Sequence, residues 1–191
     1  MQIAVPAGEI ASVVTRLEMR ARPRPAPLPD SPLRLVRWAA PKPAAYRALF
    51  ERVGARWLWY SRLALSEEAL AAVLAEPGRE VHAAIDRAGI ELGLVELVRE
   101  PHATNIAYFA LVPELTGRGI GRWLMAETLA RAWERETRLV WLHTSTLDHP
   151  RALGFYLAQG FEAVARTIET FPDPRRSGLL PPDCAPQLPL L

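Results

Sequence analysis

The stretch Leu111-Val112-Pro113-Glu114-Leu115-Thr116-Gly117-Arg118-Gly119-Ile120-Gly121-Arg122-Trp123-Leu124 decides how the rest of this chain is read. An apolar run from Ile106 to Val112 has the length and composition of a buried strand. It breaks at Pro113, passes three alternating glycines and opens into an amphipathic run, so it reads as strand, glycine-rich turn and helix start. The first N–H groups of a helix have no partner within it, and the helix dipole adds partial positive charge there. Glycines let phosphate oxygens approach that backbone, and Arg118 and Arg122 place full charges beside it. The segment is built for a phosphorylated ligand.

The residues after the glycines exclude two common phosphate motifs. A nucleotide triphosphatase loop needs Lys-Ser/Thr after its last glycine, where this chain has Arg122-Trp123. A dinucleotide fingerprint counted from Gly119 needs a small residue at Leu124, and leucine is too large for close helix–strand packing.

A second stretch lies downstream: His149-Pro150-Arg151-Ala152-Leu153-Gly154-Phe155-Tyr156-Leu157-Ala158-Gln159-Gly160-Phe161. Taken with Thr116-Gly117-Arg118-Gly119-Ile120-Gly121 and the preceding Val112-Pro113-Glu114, it resembles the GNAT superfamily of acyl-CoA-dependent N-acetyltransferases. The first motif of that family runs Q/R-x-x-G-x-G/A, and the second runs roughly N-x-x-A-x-x-F-Y-x-x-x-G-F. Thr116 stands where the family usually has Gln or Arg, and His149 where it usually has Asn. The resemblance covers about residues 33 to 171.

The resemblance implies an α+β fold, a mixed and mostly antiparallel central sheet flanked by helices, with an extra N-terminal arm on this chain. It implies acetyl-CoA as co-substrate. The pyrophosphate is then expected on Thr116, Gly117, Arg118, Gly119, Ile120, Gly121 and Arg122, with His149 nearby and the thioester beside the backbone of Ala110, Leu111 and Val112. The strands ending at Val112 and near Thr144 are expected to splay around the pantetheine arm. Tyr156 matches the tyrosine that many relatives use to protonate the departing thiolate, although Ala152, Phe155, Tyr156 and Gln159 also have the spacing of a core stripe.

The sequence leaves open which group takes the amine proton. Glu96, alone among Leu94, Val95, Leu97 and Val98, faces either solvent or a cleft in which its basicity would serve. His143 and Asp148 are weaker candidates, and water is another. Trp57, Trp59, Tyr60 and Arg62 lie in the connection between the first two helices, where this fold usually selects its acceptor. They either line that pocket or close the core.

The order of elements agrees with the resemblance. Val13 to Arg20 alternates as a strand with one buried side, Val13, Thr15, Leu17 and Met19 against Val14, Arg16, Glu18 and Arg20. Prolines 23, 25, 27, 29 and 32 form a stiff linker after it. Residues 1–32 are therefore expected to form an arm held away from the domain, free to join the edge of its own sheet or of a partner's in a homodimer. Residues 33–171 form the acetyltransferase domain and 172–191 a proline-rich tail, with Leu179 and Leu180 as docking points. Within the domain, strands are read at Leu33–Trp38, Val81–Asp86, Ile90–Val98, from Ile106, at Leu139–Thr144 and from Phe161 to about Glu169. Helices are read at Ala44–Val53, after Ser66, from Gly119 to about Arg135 and from about Pro150 to Gln159.

With 191 residues and 50% apolar side chains, the chain is long enough to bury one core. A net charge of +2 gives no electrostatic case for nucleic acid. No apolar run reaches spanning length, so no membrane partner is expected, and the single Cys184 suits a reducing, cytoplasmic setting. No metal ligand set is assigned. The expected acceptor is a primary amine of a small molecule or peptide, attacked directly on the thioester. Acetylation of a protein lysine or N-terminus, and a non-catalytic CoA-binding module, are the alternatives. A hydrolase built on His143, Ser145 and Asp148 lacks a nucleophile elbow.

Overall fold

The computed structural model describes residues 2–191, so Met1 of the arm lies outside the described residues. Seven strands run β1 (Glu9–Met19), β2 (Arg34–Trp38), β3 (Arg79–Ile85), β4 (Glu91–Glu100), β5 (Ala103–Leu111), β6 (Leu139–Ser145) and β7 (Glu162–Pro172). The helices are α1 (Pro43–Gly54), α2 (Glu67–Leu74), α3 (Ile120–Ala132) and α4 (Ala152–Ala158). One sheet holds all the strands in the order β2-β3-β4-β5-β6-β1-β7. Every neighbouring pair is antiparallel except β5–β6, which α3 joins as a parallel crossover.

Local chemistry explains the boundaries. Ser66 caps α2 by accepting the Ala69 N–H at 3.1 Å, with Glu67 and Glu68 against the positive end of the dipole. Between β3 and β4, Asp86 accepts the N–H groups of Ala88 and Ile90, both at 2.9 Å, and fixes the turn. β5 begins three residues before the apolar run, because the hydroxyl of Thr104 bonds to the carbonyl of Ala132 at 2.9 Å and removes the cost of burying it. The helix start at Gly119 and the second motif helix fall where expected but are shorter, Ile120–Ala132 and Ala152–Ala158.

The sheet is covered on both faces. α3 and α4 pack on one, burying Leu17, Val95, Leu97, Ile106, Leu124, Met125 and Leu142. α1 and α2 pack on the other over Tyr46, Phe50, Leu70, Val81 and Leu94, joined by Leu180 and Ala185 from the tail. Arg175 fastens that tail. Its guanidinium pairs with Asp173 at 2.7 Å and donates to the carbonyls of Cys184 and Leu188 at 3.1 and 3.0 Å.

The N-terminal segment differs from the expectation of an arm held away. β1 is an internal strand, hydrogen-bonded to β6 on one side and β7 on the other. Both of its faces are buried over much of its length, including Val14, Thr15, Leu17, Glu18 and Met19. Glu18 is tolerated inside because Arg16 and Arg20 pair with it at 2.9 and 2.5 Å. The proline-rich linker then carries the chain across to the opposite edge strand, β2. The mixture of Val, Thr, Arg and Glu in β1 reads as half-exposed because the sequence does not show that ion pairs lie on its second face.

Candidate active site

The site begins as a defect in strand pairing. On β4, Leu97 lies opposite Ile106 and Glu96 opposite Tyr108, so Ala107 is an extra residue bulged out of β5. A bulge bends its strand and ends pairing locally. The parallel ladder between β5 and β6 stops at the adjoining pair, Ile106 with Leu142. Beyond it the two strands part, and a cleft of about 720 Å³ occupies the gap, within the size range of small-ligand sites.

One end of the cleft is the glycine loop. Gly117 and Gly119 have φ of +81° and +80°, a left-handed conformation that side chains resist, and this turn delivers the start of α3. Gly121 has no such requirement. A Cβ placed there would meet only the Phe155 ring at 3.6 Å, and the residue borders the cleft. Thr116, Gly117, Gly119, Gly121 and Arg122 line the cleft, and Arg151 joins them from the second motif. Arg118, Arg122 and Arg151 form no ion pair among the described residues, so their charge is available to an anion. The donors, the open space at Gly121 and the free arginines fit a pyrophosphate.

Ala110 and Leu111 line the middle of the cleft. Val112 does not offer its N–H there, because that group donates to the carbonyl of Leu92 at 2.9 Å. Ladder groups alternate along an antiparallel strand, so Phe109 and Leu111 are the residues whose N–H groups turn toward the gap.

Tyr156 lines the cleft from α4, against Phe109, Phe155 and Phe161. Burial, and secondarily the Asp148 carboxylate, push its phenol well above the usual range and keep it protonated. Its hydroxyl has no hydrogen-bond partner among the described residues. The proton is held and is free to be donated.

Asp148 ties the two walls together. It accepts from the Trp59 indole at 3.1 Å, the Thr144 hydroxyl at 2.8 Å and the Ser145 N–H at 2.8 Å. His149 lines the cleft, accepts the Arg151 N–H on Nδ1 at 3.1 Å and meets the edge of Trp57. Burial, then Arg151 and Arg56, lower its basicity.

Of the four acceptor candidates, Trp57 and Trp59 border the cleft and Tyr60 and Arg62 do not. Tyr60 stacks on Phe171 at 5.1 Å, and Arg62 points back to Glu96 at 2.9 Å. Glu96 is not brought into the cleft either. It is fully buried, and its carboxylate accepts from Tyr46 at 2.5 Å, from Arg62 and from Arg79. With both oxygens engaged away from the gap, it has the position of a buried charge hub rather than of a base. Tyr108 and Phe155, which the sequence does not single out as site residues, both line the cleft. The signal of Tyr108 is hidden because a uniformly apolar strand gives no sign of where it bulges, and that of Phe155 because its helical spacing reads as core.

Comparisons agree with this geometry. Residues 77–163, which hold β3 through α4, match the family model described as acetyltransferase (GNAT) domain. A GCN5-related N-acetyltransferase from Sphaerobacter thermophilus is similar in fold, with 15% identity, a TM-score of 0.65 and coverage of 84% of this chain and 51% of that one. A functionally unknown conserved protein from Staphylococcus epidermidis has 16% identity, a TM-score of 0.56 and coverage of 87% and 63%. A GNAT-family acetyltransferase from Streptococcus pneumoniae has 21% identity, a TM-score of 0.51 and coverage of 68% and 87%. The chain thus spans about half the length of the first of these and under two thirds of the second. No curated protein matches the sequence. The fold is the GNAT fold, and within it residues 77–163 are similar to the GNAT acetyltransferase domain.

Proposed function

We propose that this chain is a GNAT-family N-acetyltransferase, which transfers acetyl from acetyl-CoA to a primary amine of a small molecule or peptide by direct attack. The observation that carries the reading is the gap between β5 and β6. It joins the phosphate-binding loop at one end to the unpaired hydroxyl of Tyr156 farther in. Acetyl-CoA supplies the activated acyl group, and the residues present fit its parts. Thr116, Gly117, Gly119, Gly121, Arg122 and Arg151, which line the cleft, hold the pyrophosphate, and the channel between the parted strands takes the pantetheine arm. The N–H groups of Phe109 and Leu111 stabilise negative charge developing on the acyl oxygen. Tyr156 gives its proton to the sulfur as the thiolate leaves, which needs a phenol that stays protonated at neutral pH.

The acceptor enters from the side of Trp57, Trp59 and Tyr108, an aromatic wall suited to a flat or partly apolar amine. The only cysteine, Cys184, sits in the tail against the α1–α2 face, away from the cleft lining, so an acyl-enzyme has no nucleophile of that kind in the site. The test is release of free thiol from acetyl-CoA with a panel of arylalkylamines, polyamines, amino sugars and lysine peptides. Amine-dependent release is expected. CoA binding without any such release would leave the non-catalytic module as the reading, and release with lysine peptides alone would make the protein an acetylator of proteins.

A further inference from the structure

The cleft passes through the sheet, and its chemistry differs on the two faces. Tyr156, Phe155 and Phe109 belong to the face covered by α3 and α4. Tyr108 and Trp59 belong to the face covered by α1 and α2. On β6, Val140 and Leu142 are buried on the α3–α4 face, so by strand alternation Trp141 and His143 point to the other. A thioester lying in the gap would therefore have a proton donor for sulfur on one face and its attacking amine on the other.

The amine must lose a proton as the C–N bond forms. The groups lining the cleft that hold or take protons are Tyr108, His143, Asp148, His149 and Tyr156. Tyr108 shares its hydroxyl with Ser61 at 2.6 Å, and burial keeps it protonated. Tyr156 is the donor. Asp148 has both oxygens engaged by three donors, and Nδ1 of His149 accepts the Arg151 N–H, which leaves the proton of the neutral ring on Nε2. His143 alone among them has neither ring nitrogen hydrogen-bonded among the described residues. Its side chain reaches solvent, and it comes directly after Leu142, where β6 leaves β5.

We infer that His143 is the proton acceptor of the reaction, working on the opposite face of the sheet from Tyr156. This rests on the acetyl-transfer reading above. The amine nitrogen bonds to the acyl carbon and passes its proton to a free nitrogen of His143. The C–S bond then breaks, and the thiolate takes the Tyr156 proton. His143 returns its proton to solvent, and Tyr156 is reprotonated from solvent. The charged groups facing the ring are Arg16 of β1, its register partner, and Glu169 of β7. Arg16 is occupied by Glu18 and stacks on Trp141 at 4.1 Å. Partial burial first, and Arg16 second, hold the imidazole below its usual range, so it is neutral and ready at pH 7.

The test uses the full chain, acetyl-CoA and the best amine of the panel. H143Q should lower turnover by about 10²–10⁴-fold, the range of general-base effects. CoA affinity by calorimetry and the melting temperature should not change, because the side chain reaches solvent and lies away from the loop. Added imidazole should restore part of the rate to H143A. Turnover of H143Q within about threefold of wild type, or a loss that tracks weakened CoA binding, would overturn the assignment. If wild type releases no thiol with any amine, the acetyl-transfer reading falls and this one with it. If wild type turns over and H143Q matches it, this one falls alone.

Discussion

Trp59 donates its indole N–H to the Asp148 carboxylate at 3.1 Å, across 89 residues of sequence. One partner lies in the connection after α1, the other in the turn after β6, so the bond ties two sides of the cleft together. Trp59 also packs on Phe50 and Tyr108, and the other oxygen of Asp148 holds the end of β6. Trp59→Phe keeps a ring and removes the donor. It should cost about 1.5 kcal/mol of stability in urea unfolding, the low end for a bond to a charged acceptor. The KM for the amine should rise while CoA affinity stays near wild type, because the glycine loop proposed to hold the phosphates is not touched. An unchanged amine KM would show that the tie shapes the core and not the acceptor wall.

The glycine loop offers a cleaner coenzyme test at Gly121 than at Gly119. Gly119 has φ of +80°, so any side chain adds about 1–2 kcal/mol of backbone strain and confounds folding with binding. Gly121 is helical, with only the Phe155 ring at 3.6 Å from a new Cβ. Gly121→Val should fold normally and weaken CoA binding by at least tenfold, about 1.4 kcal/mol, in calorimetric titration. Full affinity in the folded variant would remove the pyrophosphate assignment.

Removing residues 2–19 tests the place of β1. A detachable arm would leave a folded domain with altered solubility. Removing an internal strand leaves β7 with no hydrogen-bonded neighbour and β6 with β5 alone, and uncovers the core side of Leu142 and Val140. The truncated chain should therefore show no cooperative thermal transition by circular dichroism. A melting curve like that of the whole chain would return β1 to the status of an arm.

The strand–loop–helix of the first motif was legible because Pro113 and the three glycines punctuate it, and chemistry at a turn is local. The α4 motif was legible for the same reason, although its helix begins two residues later than the proline suggested. What was hidden depends on neighbours distant in sequence. Glu96 reads as a solvent or cleft residue until Tyr46, Arg62 and Arg79 are seen around it, and Glu18, whose partners Arg16 and Arg20 are two residues away, reads as exposed until β1 is seen between β6 and β7. The bulge at Ala107 leaves no mark in an apolar run, so the gap that makes the cleft came from the resemblance and not from the residues.

Glu96 separates charge pairing from catalysis. Glu96→Gln keeps the shape and leaves the guanidiniums of Arg62 and Arg79 facing a neutral amide in a dry site. Breaking a buried pair from one side typically costs on the order of 3–5 kcal/mol, so the melting temperature should fall clearly. Turnover per folded molecule should stay near wild type, because the carboxylate does not border the cleft. A stable variant with a hundredfold loss of turnover, about 2.7 kcal/mol in the barrier, would restore Glu96 as the base.

For Tyr156, mechanism and packing make opposite forecasts. The ring packs against Phe109, Phe155 and Phe161, and phenylalanine keeps all of that contact. The hydroxyl makes no bond among the described residues, so Tyr156→Phe removes no structural partner and should leave the melting temperature unchanged. Burial lifts the phenol well above its usual range, with Asp148 adding to the shift. The group therefore stays protonated at working pH and can donate a hydrogen bond, and then its proton, to a sulfur leaving from CoA. That donation matters only as charge develops on sulfur, and solvent reprotonates the phenol afterwards. Turnover should fall by about 10²–10⁴-fold, with acetyl-CoA affinity unchanged. Turnover and melting are to be measured on one preparation. Near-normal turnover at unchanged stability would exclude Tyr156 as the acid and leave the leaving group to be protonated by water.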